Sequence, residues 1–145
     1  MNAPSIRVPA VGDRLPEREF GPITITDLVR YAGASGDFNP LHHDDAAARE
    51  AGFDGIFSIG MFQAALLGTF VVEQLGPSNI RRFTTRFSEQ VWPGDVLVCA
   101  GVIADVQRDD TGVTVAADLT CTRRGGGVAI AGSAEFRLEN AAEAG

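Results

Sequence analysis

Hydrophobic and polar positions along this chain change their period about halfway. From Thr24 to about Leu75 the apolar residues recur at helical spacing, and from Ile80 to Leu138 they alternate with polar ones as in strands. Val11-Gly12-Asp13 to Phe20 reads as a first strand or an extended lead-in. Thr24 or Thr26 can cap a short helix carrying Leu28, Val29, Tyr31 and Ala32, which stops at the glycines near Asp37. A second short helix is expected from Asp44 to about Ala51, with its acidic residues at the end the macrodipole favours. Ser58 to Leu75 is apolar almost all round, with only Gln63, Thr69, Glu73 and Gln74 clearly polar. It predicts a long buried helix ended by Gly76-Pro77. Strands follow near 80–91, 95–107, 112–123 and 127–138, with turns at Pro93-Gly94-Asp95, Asp109-Asp110-Thr111-Gly112 and Gly125-Gly126-Gly127. No repeat or linker divides the halves, so we expect one α+β unit, a mostly antiparallel sheet wrapped round one buried helix.

Composition narrows the function without choosing it. A chain of 145 residues suits a single domain with one site, or one site shared across a dimer. The net charge of −7 argues against a nucleic-acid partner, whose affinity would come from clustered basic charge. All 12 basic residues are arginine, and Arg81-Arg82 or Arg123-Arg124 could meet a small phosphorylated ligand, although a solvated strand end is the commoner use of such pairs. Cys99 and Cys121 lie in apolar strand patterns without Cys-x-x-Cys spacing, which suits buried thiols in a reducing compartment. No apolar run approaches the roughly 18–20 residues that span a bilayer, and Met1-Asn2-Ala3-Pro4 opens no apolar leader, so a soluble, cytoplasmic protein without membrane partners is expected.

Candidate chemistry is concentrated in Tyr31-Ala32-Gly33-Ala34-Ser35-Gly36-Asp37-Phe38-Asn39-Pro40-Leu41-His42-His43-Asp44. Here a carboxylate and an imidazole stand five residues apart around a helix-breaking Asn-Pro. An aspartate can hold or activate a water, and a histidine exchanges protons near neutrality. Pro40 disfavours helix at Asn39, which places Asp37 at a helix end and His42 on the following turn, where both can face one small space. His43, Asp44 and Asp45 are metal-ligating types, but adjacent residues rarely converge on one ion and no distant cysteine or histidine completes a set. No metal is therefore assigned, and His43 is expected on the surface.

This run resembles the hydratase motif of the MaoC-like, (R)-specific enoyl-CoA hydratases and related 3-hydroxyacyl-thioester dehydratases, through Ser35-Gly36-Asp37, Asn39-Pro40-Leu41-His42 and Asp44. Gly60-Met61 at the head of the long helix supports it, as does Phe83 through Phe87 to Val91-Trp92-Pro93-Gly94-Asp95. The likeness covers roughly Val11 to Leu138 and is greatest to small single-hotdog dehydratase subunits. It implies a hotdog fold as one domain over residues 1–145, usually paired with a second copy or a second hotdog subunit. It further implies a 2-enoyl or 3-hydroxyacyl thioester of coenzyme A or acyl carrier protein as substrate, with no metal or redox cofactor. By the same resemblance Asp37 and His42 are the catalytic pair, with Asp37 the base toward water and His42 the proton donor to carbon. Asn39 and Ser35 support them, and the Gly60 N–H donates to the thioester carbonyl. Ile59, Met61 and Gly68 are implied near the substrate.

Departures and rivals sharpen these expectations. Many relatives carry histidine where Ile59 stands, and a polar residue where Gly68 stands, so Gly68 could open room for a bulkier acyl group. Tyr31 is expected to pack its helix on the sheet, from where its hydroxyl could reach the site. Met61, Phe62, Leu66 and Phe70 are expected in the core or lining a tunnel, and Trp92 at a dimer interface or tunnel mouth. The rival functions are a non-catalytic subunit of a heteromeric dehydratase and a hotdog acyl thioesterase.

Overall fold

The computed structural model describes Arg7–Glu139, so the polar start Met1-Asn2-Ala3-Pro4 lies outside the described residues. In chain order the elements are β1 (Arg14–Phe20), α1 (Ile25–Ser35), a 3-10 turn (Pro40–His42), α2 (Asp45–Glu50), α3 (Gly60–Leu75), a second 3-10 turn (Pro77–Asn79), β2 (Ile80–Phe87), β3 (Leu97–Asp109), β4 (Gly112–Arg123) and β5 (Val128–Glu139). The strands form one antiparallel sheet in the order β1-β3-β4-β5-β2. This is the α+β arrangement expected, a curled sheet with a central helix, α3, packed against β1, β2, β4 and β5.

Alternation in the sequence becomes a two-faced sheet. On β3 and β4 the residues Leu97, Cys99, Ile103, Val115, Ala117, Leu119 and Cys121 point inward and are buried, and their sequence neighbours point out. They meet Ala64, Leu67, Phe70, Val71 and Leu75 of α3 in a single core. At roughly 2 kcal/mol for each large side chain buried, this contact is what holds the helix in the sheet. Cys99 and Cys121 sit directly opposite each other on β3 and β4 as buried free thiols, and the neighbouring thiol together with burial pushes the Cys99 thiol well up. The β3–β4 hairpin closes on Asp109, whose Oδ1 accepts from the Thr111 and Gly112 N–H groups and whose carboxylate pairs with Arg137 at 2.6 Å.

Four expectations need correction. The helix starts at Gly60 rather than Ser58 because Ile59, its N-cap, has extended backbone with φ −71° and ψ 123°, in a segment whose Ser58 N–H is held by the Val91 carbonyl at 2.7 Å. The same bond ends β2 early. The Ser88 and Glu89 N–H groups share the Ala129 carbonyl, Val91 turns toward Ser58, and the strand stops at Phe87 instead of 91. Asp95 closes the next turn by accepting from the Trp92 N–H at 2.8 Å, so β3 begins at Leu97. Finally, α3 is not buried all round in the single chain: Met61 is 59% exposed, and Ala65, Thr69, Val72 and Glu73 share its open side. No helix among the described residues is long and apolar enough to cross a membrane.

Candidate active site

Local chemistry shapes the loop that carries Asp37 and His42. Thr24 caps α1 through a reciprocal capping box with Asp27, and Gly36, in the left-handed conformation with φ 75°, ends it. The next turns are built by short side chains bonding to their own backbone. The Asp37 N–H donates to Ser35 Oγ at 3.3 Å, the Asn39 N–H to Asp37 Oδ1 at 3.3 Å, and the Leu41 N–H to Asn39 Oδ1 at 3.1 Å. Asp44 then caps α2, with Oδ1 accepting from Ala46 and Ala47 at 3.0 and 3.1 Å. Asp37 is half-buried, Ser35 and Asn39 are exposed, and Asp37 keeps its Oδ2 free of protein donors among the described residues.

His42 is the buried member of the loop. Its Nδ1 lies 2.8 Å from the Phe57 carbonyl, and since a carbonyl only accepts, Nδ1 carries the proton. In the neutral ring Nε2 is then an acceptor, and in the charged ring a donor, with no rotation needed between them. The Phe57 ring meets the imidazole edge-on, with centroids 5.1 Å apart, and Phe57 in turn packs against Trp92 at 5.9 Å. His42 forms part of the wall of an apolar cavity of about 370 Å³, with Leu28, Val29, Ala32, Gly33, Phe38 and the exposed His43.

Three residues beyond Phe57 the chain enters α3. Ile59, at the N-cap, offers no side-chain hydrogen bond, and while the Phe62 N–H turns back to the Ile59 carbonyl at 2.9 Å, among the described residues the Gly60 and Met61 N–H groups are unused and concentrate the positive dipole end of the helix. Gly60 opens on a second cavity, of about 220 Å³, lined by Phe57, Ser58, Gln63, Phe87, Ser88, Glu89 and Gln90. A Cβ at Gly60 would come within 3.2 Å of the Phe87 ring, so a larger residue would have to displace that ring. Ser58 and Gln63 are both buried and joined by a bond of 3.1 Å from Ser58 Oγ to Gln63 Oε1.

The expected residues therefore fall into two groups on either side of the segment 57–60. Phe57 joins them, its carbonyl facing His42 while the residue also lines the Gly60 cavity. Asp37 and His42 share a loop, and among the described residues no hydrogen bond joins them. Ile59 is 2% exposed, Met61 lies on the outer face of α3 rather than in the core, and Gly68 faces the Phe83 ring, whose Cε1 a Cβ there would meet at an ordinary 3.8 Å. None of the three lines either cavity. Tyr31 packs on Phe62 of α3, at 5.2 Å, rather than on the sheet. Of the arginine pairs, Arg123 pairs with Asp95 at 2.7 Å, Arg124 with Glu19, and Arg81 with Glu139 at 3.5 Å, which fits the solvated strand ends. Sequence reasoning missed Phe57, because its contribution is a backbone carbonyl, which residue type does not encode. Among the described residues no group of three His, Cys, Asp or Glu is placed to hold a metal ion.

Comparison with known proteins gives this arrangement a lineage. Residues 8–124 match the MaoC like domain. The chain is 31% identical over 102 residues to the probable enoyl-CoA hydratase 2 of Dictyostelium discoideum, an alignment covering 66% of this chain and 33% of that protein. It spans a third or less of the length of the first curated relatives it matches. Among solved structures, the (R)-hydratase from A. caviae involved in PHA biosynthesis superimposes with a TM-score of 0.79 at 25% identity, covering 91% of this chain and 98% of that one. R-hydratase PhaJ1 from Pseudomonas aeruginosa gives 0.75 at 27%, covering 94% and 90%. The curled antiparallel sheet about α3 is thus the hotdog fold of these hydratases, and the chain belongs to the MaoC-like dehydratase family.

Proposed function

We propose that this chain, as one hotdog domain, reversibly adds water to trans-2-enoyl thioesters to give (R)-3-hydroxyacyl thioesters. One observation carries the reading. The segment 57–60 presents a carbonyl that fixes the His42 tautomer and, three residues on, the uncapped N–H of Gly60 at the head of a 16-residue helix. A proton carrier and a donor to developing negative charge are thus tied to one short stretch of backbone.

In the hydration direction Asp37 takes a proton from water as the water oxygen bonds to C3. The C2=C3 electron pair moves toward the thioester oxygen, where the Gly60 N–H and the helix dipole stabilise the enolate. C2 then takes a proton from Nε2 of the charged His42, whose Nδ1–H stays on Phe57. Asp37 ends protonated and His42 neutral, and exchange with water restores both. Dehydration runs the same steps backward. Acid–base assistance of this kind contributes on the order of 10²–10⁴-fold.

A second subunit completes the site in this reading. Among the described residues the outer edge of β2 has no neighbour in the sheet, and Phe83 and Phe87 on it, with Met61 and Val72 of α3, form an exposed apolar strip beside Gly60. A second copy is the expected occupant, and a different hotdog subunit is the alternative.

The test is loss of enoyl absorbance with purified protein on crotonyl-CoA and a longer enoyl-CoA, with chiral analysis of the product and Asp37→Asn beside it. Formation of the (R)-product by the wild type alone, lost in the variant, supports the proposal. No hydration at any chain length would refute it, release of free thiol would identify a thioesterase, and activity only with a second protein would identify a half-site subunit.

A further inference from the structure

The first turn of α3 carries one more polar group that the mechanism above leaves idle. Gln63 is 3% exposed on a helix face otherwise given to Ala64, Leu67, Phe70 and Val71. It stands one turn after Gly60, so both face the same side of the helix and line the same cavity of about 220 Å³. Burying a primary amide among apolar side chains is costly unless its groups find partners. Gln63 Oε1 has one, the Ser58 hydroxyl at 3.1 Å. Among the described residues nothing accepts from Nε2. Because no fully enclosed side-chain nitrogen or oxygen there lacks a partner, Nε2 opens to the cavity. With Oε1 on the Ser58 hydroxyl, the amide's two N–H donors are the groups left toward the empty space.

We propose that Gln63 Nε2 is a second donor to the substrate's thioester carbonyl oxygen, working beside the Gly60 N–H. The identity of the ligand rests on the hydratase reading; the donor pair rests on the geometry. Glu89 lines the same cavity, with Arg123 3.6 Å away. Arg123 offsets the charge of that carboxylate, so the wall offers an anion no net positive charge and suits a neutral carbonyl that becomes negative only during the reaction. Two donors without formal charge, one backbone and one amide, suit that demand. Ile59 contributes no donor to the turn.

Two measurements test this separately from the function. The first is turnover of crotonyl-CoA by Gln63→Met, which keeps the length of the side chain and removes the donors. A fall in kcat on the order of 100-fold with little change in KM is expected for loss of a donor that strengthens in the transition state. The second needs no turnover: the carbonyl stretch of carbon-13-labelled butyryl-CoA, a saturated thioester, is read by infrared difference spectroscopy when bound. The wild type should lower that frequency relative to free thioester, and Gln63→Met should return it part of the way. Ser58→Ala, which frees the amide to rotate, should give a smaller change of the same sign in both readouts, and it decides the matter if Gln63→Met does not fold by circular dichroism. Folded variants with wild-type kcat and an unmoved carbonyl band would overturn the proposal. A wild type inactive on every enoyl thioester would overturn the hydratase reading alone, and the butyryl-CoA band would still accept or reject Gln63.

Discussion

Replacing His42 by asparagine separates the imidazole's two tasks, because the asparagine Nδ2 can take the place of Nδ1 on the Phe57 carbonyl while nothing stands at Nε2. His42→Ala loses both the 2.8 Å bond and the edge-on ring contact at 5.1 Å. Stranding a part-buried carbonyl costs about 1–3 kcal/mol and the aromatic contact about 0.5–1.5 kcal/mol more, so the alanine variant should lose about 2–4 kcal/mol. In a chain of this size each kcal/mol moves the midpoint by roughly 2–4 °C, which puts its Tm roughly 5–15 °C below wild type. His42→Asn keeps the bond and should lose only about 1 kcal/mol, from the ring contact. Both variants should fall in turnover on the order of 10²–10⁴-fold, since neither carries a proton at Nε2. Thermal melts by circular dichroism and the enoyl-absorbance assay on the same preparations read the two effects. An asparagine variant that melts as low as the alanine one would refute the anchoring by Phe57, and one within tenfold of the wild-type rate would refute the proton-carrying task.

Three further outcomes are expected. Gly132→Ala should cost about 1–3 kcal/mol, because a Cβ there would sit 2.4 Å from the Thr84 carbonyl and push β2 off β5; an unchanged urea midpoint would refute it. Asp27 is held below the usual carboxylate range by the Thr24 hydroxyl and then the Thr24 N–H, so the stability it adds is present above its unfolded value of about 3.9 and is lost as pH falls through the lower folded value. Asp27→Asn should therefore be less stable at neutral pH and flatter below about pH 4, and parallel urea curves for the two proteins across that range would count against the capping box. Phe83→Glu, placing a charge on the exposed β2 strip, should convert a dimer to a monomer in sedimentation velocity and remove turnover, whereas a dimeric, active variant would place the second subunit elsewhere.

What could be read from the residues was whatever short-range chemistry decides. Of the two threonines offered, Thr24 is the cap, α1 stops at Gly36 among the glycines expected to end it, and Asp44, expected as the acidic first residue of α2, caps it instead; a side chain bonding two or three residues away needs no tertiary partner. The alternation holds along β4 and along β3 as far as Ile103, because both strands have one face on the core, and it breaks where the register shifts between Ile103 and Asp105. The misplaced boundaries trace to single long-range bonds. Ser58 capturing the Val91 carbonyl draws Val91 out of the strand and ties it to the segment before α3, residues far apart in sequence. Met61 and Val72 show a different limit. Apolar residues ask to be covered, but hydrophobicity alone does not say whether the cover is the chain's own sheet or another subunit, and α3 divides its apolar surface between the two possibilities.

The same distinction explains how the site is held. Ser35, Asp37, Asn39 and Asp44 shape the loop by bonds spanning two or three residues, so the loop has its curve before it has its place. Its place is given by His42 on Phe57, 15 residues away, and the Phe57 segment is itself fixed by Ser58 on Val91. The position of the proton carrier relative to Gly60 thus depends on these two contacts together with the Phe57 N–H on the Leu41 carbonyl at 3.4 Å and the packing of the Phe57 ring on His42, Phe53 and Trp92. Substitutions along the loop that keep its local bonds should therefore alter stability little. A change at Val91 that shifts its carbonyl would move His42 and the head of α3 together, because both hang from the one segment 57–60, and activity would fall through geometry although neither reacting residue had been altered.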